Sequence, residues 1–184
     1  MLTKLHKTIA RLILLAASIC SLSPTYLLAQ EATEYAVKAA MIYKIAKFVN
    51  WPETAFAPNE EEIVIGILGD DPFGKEIDIL ENKMVRDRKV RIIRFSSVED
   101  VQQCHILFIS ESEVENMAKI TEKLRNRSVL TVGDSPPFIN DGGMINFNIM
   151  QDNIRFEINA AAAKQADLKI SSMLLRLAIN VKVD

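Results

Sequence analysis

The stretch Ile63-Val64-Ile65-Gly66-Ile67-Leu68 decides the fold, because an almost wholly apolar run of this length is typical of a strand that is covered on both faces. The turn sequence Gly69-Asp70-Asp71-Pro72-Phe73-Gly74 follows it directly and leads into a predicted helix near residues 74–82. Further strands are predicted at residues 90–95, 104–110 and 128–132. Strands and helices that alternate in this way indicate an α/β fold with a mostly parallel sheet.

The helices around these strands are predicted from apolar residues at helical spacing. A first helix over residues 33–50 ends at Trp51-Pro52, because proline disfavours the helical conformation of the residue before it. Its predicted inward face consists of Val37, Met41, Ile45 and Phe48. Ser97 is the expected N-cap of a short helix. A longer helix is predicted over residues 112–126, with inward-facing Val114, Met117, Ile120 (or Thr121) and Leu124.

The pattern changes after residue 142. Residues 144–150 and 154–158 flank a polar turn and predict an antiparallel hairpin. Helices near residues 159–166 and 171–181 complete the chain. The sequence therefore predicts a single α/β sandwich domain with a mostly parallel central sheet, an antiparallel C-terminal hairpin at its edge and helices on both faces.

The composition of the 184 residues excludes several classes of protein. A hydrophobic content of 49% and a charged content of 25% are typical of a packed globular protein and not of a disordered one. The formal charge of -2 offers no basic field that would attract nucleic acid. Two cysteines and two histidines leave little room for a zinc cluster, a haem or a disulfide scaffold.

The first 29 residues have the layout of a secretory signal peptide. Three basic residues precede an apolar stretch over residues 12–22, and cleavage is expected after Ala29. The apolar stretch is too short to span a bilayer, which needs about 20 residues. A lipoprotein processed at Cys20, an uncleaved anchor and an amphipathic first helix of the domain are the alternatives. Cleavage predicts an exported domain over residues 30–184.

The paired carboxylates of Asp70 and Asp71 follow the first strand, where open α/β sheets usually bind ligands. Hard divalent cations prefer such oxygens, and Glu111 after the third strand is the candidate third ligand of a Mg²⁺ site. The competing interpretation, which the position of Asp71 before proline favours, is a carboxylate that fixes the turn. Neither a dinucleotide fingerprint nor a P-loop lysine pattern is present, so a phosphate site is disfavoured here.

Cys104 and His105 are the only cysteine and histidine of residues 30–184. They are adjacent in a predicted strand, so their side chains are expected on opposite faces and are poorly placed to form a catalytic dyad. Core packing is therefore the expected role of Cys104. A reactive thiol and a disulfide between two chains are the alternatives.

The last strand of the hairpin predicts one polar face. Ile154, Phe156 and Ile158 alternate with Arg155, Glu157 and Asn159, which therefore share the opposite face. A polar face of this kind is either a solvated surface or a surface for a partner or ligand.

Segments spread in order over nearly all of residues 30–184 resemble the YfiR-like family. No single segment is specific, but their order along the chain makes the likeness strong. The segments that carry the resemblance are residues 34–40, 48–52, 66–74, 104–110, 129–134, 143–147, 155–159 and 168–178.

The resemblance implies a periplasmic protein without catalytic activity and without a cofactor. Members of the family inhibit an inner-membrane diguanylate cyclase through its periplasmic sensor region, which lowers cyclic-di-GMP and biofilm formation. The resemblance further implies a homodimer, and an outer-membrane lipoprotein of the peptidoglycan-associated type that sequesters the inhibitor.

The resemblance also implies a pocket around the C-terminal hairpin for ligands or partners. By motif match Phe147 and Glu157 carry this pocket, and the alternation of the last strand adds Arg155 and Asn159. The chain departs from better-known members, which contain stabilising disulfides, because Cys104 is alone in residues 30–184.

Two other functions compete with the regulatory one. The hairpin pocket and the loops at the strand ends are compatible with a periplasmic sensor or carrier of small ligands that acts without a cyclase. Asp70 and Asp71 are compatible with a Mg²⁺-dependent hydrolase.

Overall fold

The computed structural model describes the backbone of residues 23–184 and the side chains of residues 34–184. Residues 35–184 form one compact unit. The predicted signal peptide, residues 1–29, lies outside the residues whose side chains are described. No helix within the described part of the chain is both long enough and apolar enough to cross a membrane.

The unit is built around an eight-stranded, mostly parallel sheet in the order β10-β8-β7-β6-β5-β2-β4-β3. The pairs β3/β4 and β7/β8 are antiparallel, and a separate two-stranded sheet pairs β1 with β9. The strands are β1 Val49–Asn50, β2 Glu62–Leu68, β3 Met84–Val85, β4 Arg88–Phe95, β5 Ile106–Ile109, β6 Leu130–Gly133, β7 Ile145–Met150, β8 Asn153–Asn159, β9 Lys169–Ile170 and β10 Asn180–Lys182.

Strand β2 lies in the middle of the parallel part, between β4 and β5. Residues 63–68 are buried on both faces of the sheet, which confirms the prediction from the apolar run. Gly66 is required here, because a Cβ atom would lie 2.6 Å from the Phe95 ring and 2.9 Å from the Cys104 sulfur.

Helices cover both faces of the sheet, which confirms the predicted fold class. The described part of the chain contains four α-helices: α1 Ser23–Ala46, α2 Met117–Leu124, α3 Ala160–Gln165 and α4 Ser172–Leu177. Ile42 and Ile45 of α1 share one core cluster with the Ile63, Ile65 and Ile67 side of β2. The side chains that pack Val64 and Leu68 on the other face include Met117, Ile120 and Leu124 of α2.

The first helix differs from the prediction in its end and in its buried face. It ends at Ala46, because Val49–Asn50 leave the helix to pair with β9. Val37 is 44% exposed, and the buried face includes Lys38 and Ala39 instead. The predicted inward position of Val37 was therefore wrong, because Lys38 turns inward to a buried carboxylate.

Three other predicted helices form wholly or partly as 3-10 helices. The prediction of a helix near residues 74–82 was wrong, since only a 3-10 turn forms there, at Asp78–Leu80. The Asp71 carboxylate, which accepts from the Phe73 amide, holds the preceding residues in a turn instead. The helix over residues 112–126 begins as a 3-10 helix, Glu111–Asn116, before α2. The short helix after Ser97 is also 3-10, and the Ser97 hydroxyl caps it as predicted.

The C-terminal segment also corrects the prediction of a helix over residues 171–181. The helix ends at Leu177, and residues 180–182 form β10, which pairs in parallel with β8. The hairpin itself is confirmed, with Gln151 and Asp152 as a two-residue loop in the left-handed conformation. The hairpin does not lie at the edge of the sheet, because β10 covers β8.

Candidate functional site

The C-terminal hairpin of β7 and β8 presents two chemically different faces. Residues directly opposite each other in an antiparallel pair share a face, and the register pairs Asn146 with Glu157 and Asn148 with Arg155. These four residues therefore form a polar face. The paired Phe147 and Phe156 lie on the opposite face, within the core beneath α1.

The structure separates one predicted site residue from the other three. Phe147 is buried in the core, whereas Arg155 and Glu157 reach the polar face, exposed and half-buried respectively. Asn159 is on the same face as Glu157 but is buried at the end of the strand. Phe147 and Glu157 thus do not line one pocket, and the ligand role of these four residues stays a prediction.

Glu157 is held by a ladder of amide side chains, which we call the asparagine ladder: Asn146, Asn148 and Asn180. The Asn148 amide donates to Glu157 Oε1 at 3.1 Å, and the Asn180 amide reaches Oε2 at 3.5 Å. The Asn146 amide in turn donates to Asn148 Oδ1 at 3.4 Å. No cation within 4.0 Å neutralises Glu157 among the described residues, so its charge is oriented and still available to another molecule.

Asn146 carries an unusual cost. Its side chain is fully buried, and its Oδ1 has no hydrogen-bond partner among the side chains and backbone groups of the described residues. A buried acceptor without a donor costs about 1–3 kcal/mol. Native structures contain few such unpaired buried groups.

Asn159 has a structural role that the sequence did not reveal. Its Oδ1 accepts from the Ala162 amide at 3.0 Å and so caps α3, and its Nδ2 donates to the Ile139 carbonyl at 3.3 Å. It also lines a cavity of about 370 Å³ beside α2 and α3. Arg125, Thr131 and Lys182 contribute polar groups to the same cavity. This volume is in the range of small-molecule sites.

Sequence reasoning missed a buried cluster that joins α1 to the end of β6. Lys38 Nζ lies 2.7 Å from Asp134 Oδ2, and the Tyr35 hydroxyl donates to the same oxygen at 3.0 Å. The Lys38 and Asp134 side chains are only 4% and 8% exposed. Lys38 and Asp134 each lie in a segment that carries the family resemblance. Membership of those two segments is the one sequence signal that could have suggested a contact between them.

The Asp70-Asp71 turn is occupied by structural contacts. Asp71 Oδ1 accepts from the Phe73 and Gly74 amides, while Oδ2 lies 2.7 Å from Arg94 Nε. This confirms the turn-fixing interpretation. The residues that the structure describes contain no group of three His, Cys, Asp or Glu able to hold a metal ion, so a Mg²⁺ site with Glu111 does not fit.

Cys104 and His105 are both buried, and Cys104 packs in the core as predicted. Burial raises the pKa of the Cys104 thiol to about 12, so the thiol stays protonated and unreactive near neutral pH. His105 Nδ1 accepts from the Val64 amide at 3.0 Å, and burial lowers the pKa of the imidazole. The ring is therefore neutral and carries its proton on Nε2, stacked on Phe56.

A family model described as YfiR/HmsC-like matches residues 35–179 of the chain. The matched residues include the buried cluster, the hairpin, and Asn146 and Asn148 of the asparagine ladder, whereas Asn180 lies one residue beyond the match. A search of curated proteins found no match to the chain.

Proposed function

The chain belongs to the YfiR/HmsC-like family, and on this basis we propose that it inhibits an inner-membrane diguanylate cyclase by binding the periplasmic sensor region of that enzyme. The family is a family of periplasmic regulators rather than of catalysts. Inhibition lowers cyclic-di-GMP and with it biofilm formation. The family match over most of the chain is the observation that carries the proposal.

The buried chemistry of the chain supports a regulatory role without catalysis. The Cys104 thiol is protonated, the His105 ring is enclosed, and Asp71 is engaged by Arg94. A regulator needs no reactive group, because it acts by binding two states of its partner with unequal affinity. A 100-fold preference for the inactive state biases the equilibrium by about 2.7 kcal/mol.

We propose that the polar face of the hairpin contacts the cyclase. The asparagine ladder holds the Glu157 carboxylate in place, and Arg155 beside it is exposed. A charge that is already oriented loses little conformational entropy when a partner binds. Phe147 then acts indirectly, since its pairing with Phe156 in the core fixes the strands that carry the polar face.

A cyclic-di-GMP assay in the native host tests this proposal. Deletion of the gene, with the neighbouring membrane cyclase expressed, is expected to raise cyclic-di-GMP, and the full-length gene is expected to restore the low level. Glu157→Arg should fail to restore it, because it reverses the charge that the partner meets. Glu115→Arg is the matched control, since Glu115 is exposed on a different element.

Two outcomes would contradict the proposal. Unchanged cyclic-di-GMP after deletion would remove the regulatory function itself. If Glu157→Arg fully restores the low cyclic-di-GMP level, the chain inhibits the cyclase but does not contact it through the polar face of the hairpin.

Further partners follow from the family. We propose a homodimer through exposed apolar side chains near the C terminus: Ile149, Met173, Leu177 and Ile179. An outer-membrane lipoprotein of the peptidoglycan-associated type is the proposed second partner, which sequesters the inhibitor. Light scattering of the Leu177→Glu variant tests the dimer surface, and a mass unchanged from the wild-type dimer would exclude it.

The periplasmic location rests on the family and on the signal peptide proposed for residues 1–29. N-terminal sequencing of the protein recovered from the periplasm is expected to begin at Gln30. A chain that begins at Met1 in the cytosolic fraction would contradict the proposal.

A second candidate function is a sensor or carrier of small ligands. The cavity of about 370 Å³ beside α3 favours it, since its lining combines charged groups, namely Arg125, Lys182 and Asp184, with apolar side chains. Thermal-shift screening of aromatic metabolites and cell-wall fragments tests it. A ligand that stabilises the wild type but not Lys182→Ala would support this function, and a flat screen would argue against it.

A further inference from the structure

A crevice on the side of the molecule remote from the polar hairpin face has an apolar floor and a cationic rim. It lies between the loop after β1 and the turn between β3 and β4, with a volume of about 60 Å³. The apolar lining is Ala46, Val49, Trp51, Phe56, Ile63 and Val85. Arg86 and Arg88 contribute guanidinium groups to the same crevice.

The two arginines are held in place by neutral groups. Arg86 Nη2 donates to the Val49 carbonyl at 3.1 Å and also contacts the Asn50 side chain. The Arg88 guanidinium stacks on Phe56, with its central carbon 3.7 Å from the ring centroid. Within residues 34–184, neither arginine forms an ion pair with a carboxylate, in contrast to Arg91 and Arg94.

The rim includes a tight turn. Arg86 is the first residue of the two-residue loop that joins β3 to β4, and its φ is 56°. A positive φ is typical of two-residue hairpin loops, as at Gln151 and Asp152. The turn fixes the position from which the Arg86 side chain reaches the Val49 carbonyl.

The geometry points to a binding site for a small amphiphilic anion, whose carboxylate lies between Arg86 and Arg88 and whose short apolar tail enters the crevice. Guanidinium groups are the preferred protein partners of carboxylates. A volume of about 60 Å³ equals that of about two water molecules in the liquid, which is room for an apolar tail of two or three carbon atoms beyond the carboxylate. Asp87 also lines the crevice, and its carboxylate repels an anion. Its negative charge therefore offsets part of the attraction from Arg86 and Arg88.

Trp51 provides the measurement, because it lines the crevice and is the single tryptophan of the chain. The protein purified after expression of the full-length gene is titrated with acetate, butyrate and octanoate at constant ionic strength, with chloride as the reference. Trp51 fluorescence is expected to change with each carboxylate. Affinity should rise about fourfold per methylene from acetate to butyrate. Octanoate should bind no more tightly than butyrate, because the tail of butyrate already fills the crevice.

Matched variants test the rim. Arg86→Gln and Arg88→Gln should each weaken butyrate binding at least tenfold, whereas Asp87→Asn should tighten it by a few-fold. Arg91→Gln is the control and should leave the titration unchanged, because Arg91 pairs with Glu62 outside the crevice. If an arginine variant fails to fold, Asp87→Asn still tests the proposal, because it is expected to increase the affinity for butyrate.

The proposal is overturned if fluorescence and calorimetry show no butyrate binding, or if Asp87→Asn leaves the affinity unchanged. Inorganic phosphate that binds more tightly than butyrate would also overturn it, since phosphate has no tail for the apolar floor. None of these results depends on a cyclase, so a failure here is distinct from a failure of the proposed function.

Discussion

Asp134 and Glu157 are carboxylates that the fold treats in opposite ways. Asp134 is buried and meets a cation, Lys38, and a phenol, Tyr35. Glu157 is half-buried, and within residues 34–184 its carboxylate meets only the side-chain amides of Asn148 and Asn180. The first arrangement neutralises the carboxylate and ties α1 to β6, whereas the second orients a charge without neutralising it. The comparison shows that the buried cluster ties elements of the fold together, whereas the hairpin orients a carboxylate that no cation of the described residues neutralises.

The largest expected effect is on the buried cluster. Lys38→Met leaves Asp134 without its cation in a water-poor site, and breaking a buried pair in this way costs about 3–5 kcal/mol of unfolding free energy. Urea unfolding followed by circular dichroism measures the loss. Arg91→Met is the control, because the exposed Arg91–Glu62 pair is worth about 0–1 kcal/mol. Similar losses in the two variants would remove the distinction between the buried and exposed ion pairs.

The next effect concerns the core side of the hairpin. Phe147→Leu keeps an apolar side chain but leaves space against Phe156, which should cost about 1–2 kcal/mol. If Phe147 acts only by fixing the strands, inhibition of the cyclase should recover when the variant is stabilised by lower temperature. Inhibition that stays lost in a fully folded variant would instead assign Phe147 a direct contact.

A third polar group, the buried His105, forms no ion pair within the described residues, and its burial makes the stability of the fold sensitive to pH. Burial lowers its pKa in the folded state below the value of 6.5 expected when it is unfolded. The unfolded chain therefore binds a proton first as the pH falls below 6.5, so the unfolding free energy decreases in acid. Each unit of separation between the two pKa values is worth about 1.4 kcal/mol.

Unfolding of wild type and His105→Asn between about pH 7 and pH 5 measures this slope. Asparagine offers an oxygen to the Val64 amide in place of Nδ1 but does not titrate. The wild type should lose more stability than the variant over this range. Parallel pH profiles would show that other groups dominate the acid sensitivity.

The parts of the fold that sequence reasoning predicted are those whose pattern is local. The apolar run of β2 and the alternation along β8 each reflect the environment of a single strand, so residue order alone was sufficient. The core position of Cys104 was predicted on a different ground, since adjacent strand residues point to opposite faces and Cys104 and His105 are then poorly placed to act on each other.

The parts that it missed depend on contacts distant in sequence. Lys38 and Asp134 are 96 positions apart, and a lysine on a helix gives no local sign that it is buried. Residues 180–182 form a strand only because β8 offers an edge, although their sequence continues a helical pattern. The separation of Phe147 from Glu157 follows from strand register, which the motif match did not use.

The smallest expected change in stability is at Glu157. Glu157→Gln keeps the side-chain length and an oxygen that accepts from Asn148, so the unfolding free energy should change by about 0.5 kcal/mol or less. The same variant removes the oriented charge, and inhibition of the cyclase should fall because charge complementarity with the partner is lost. Urea unfolding and the cyclic-di-GMP assay on the same variant separate the two quantities. A large loss of stability would place Glu157 with Asp134 as a residue that maintains the fold, and the contrast between the two carboxylates would disappear.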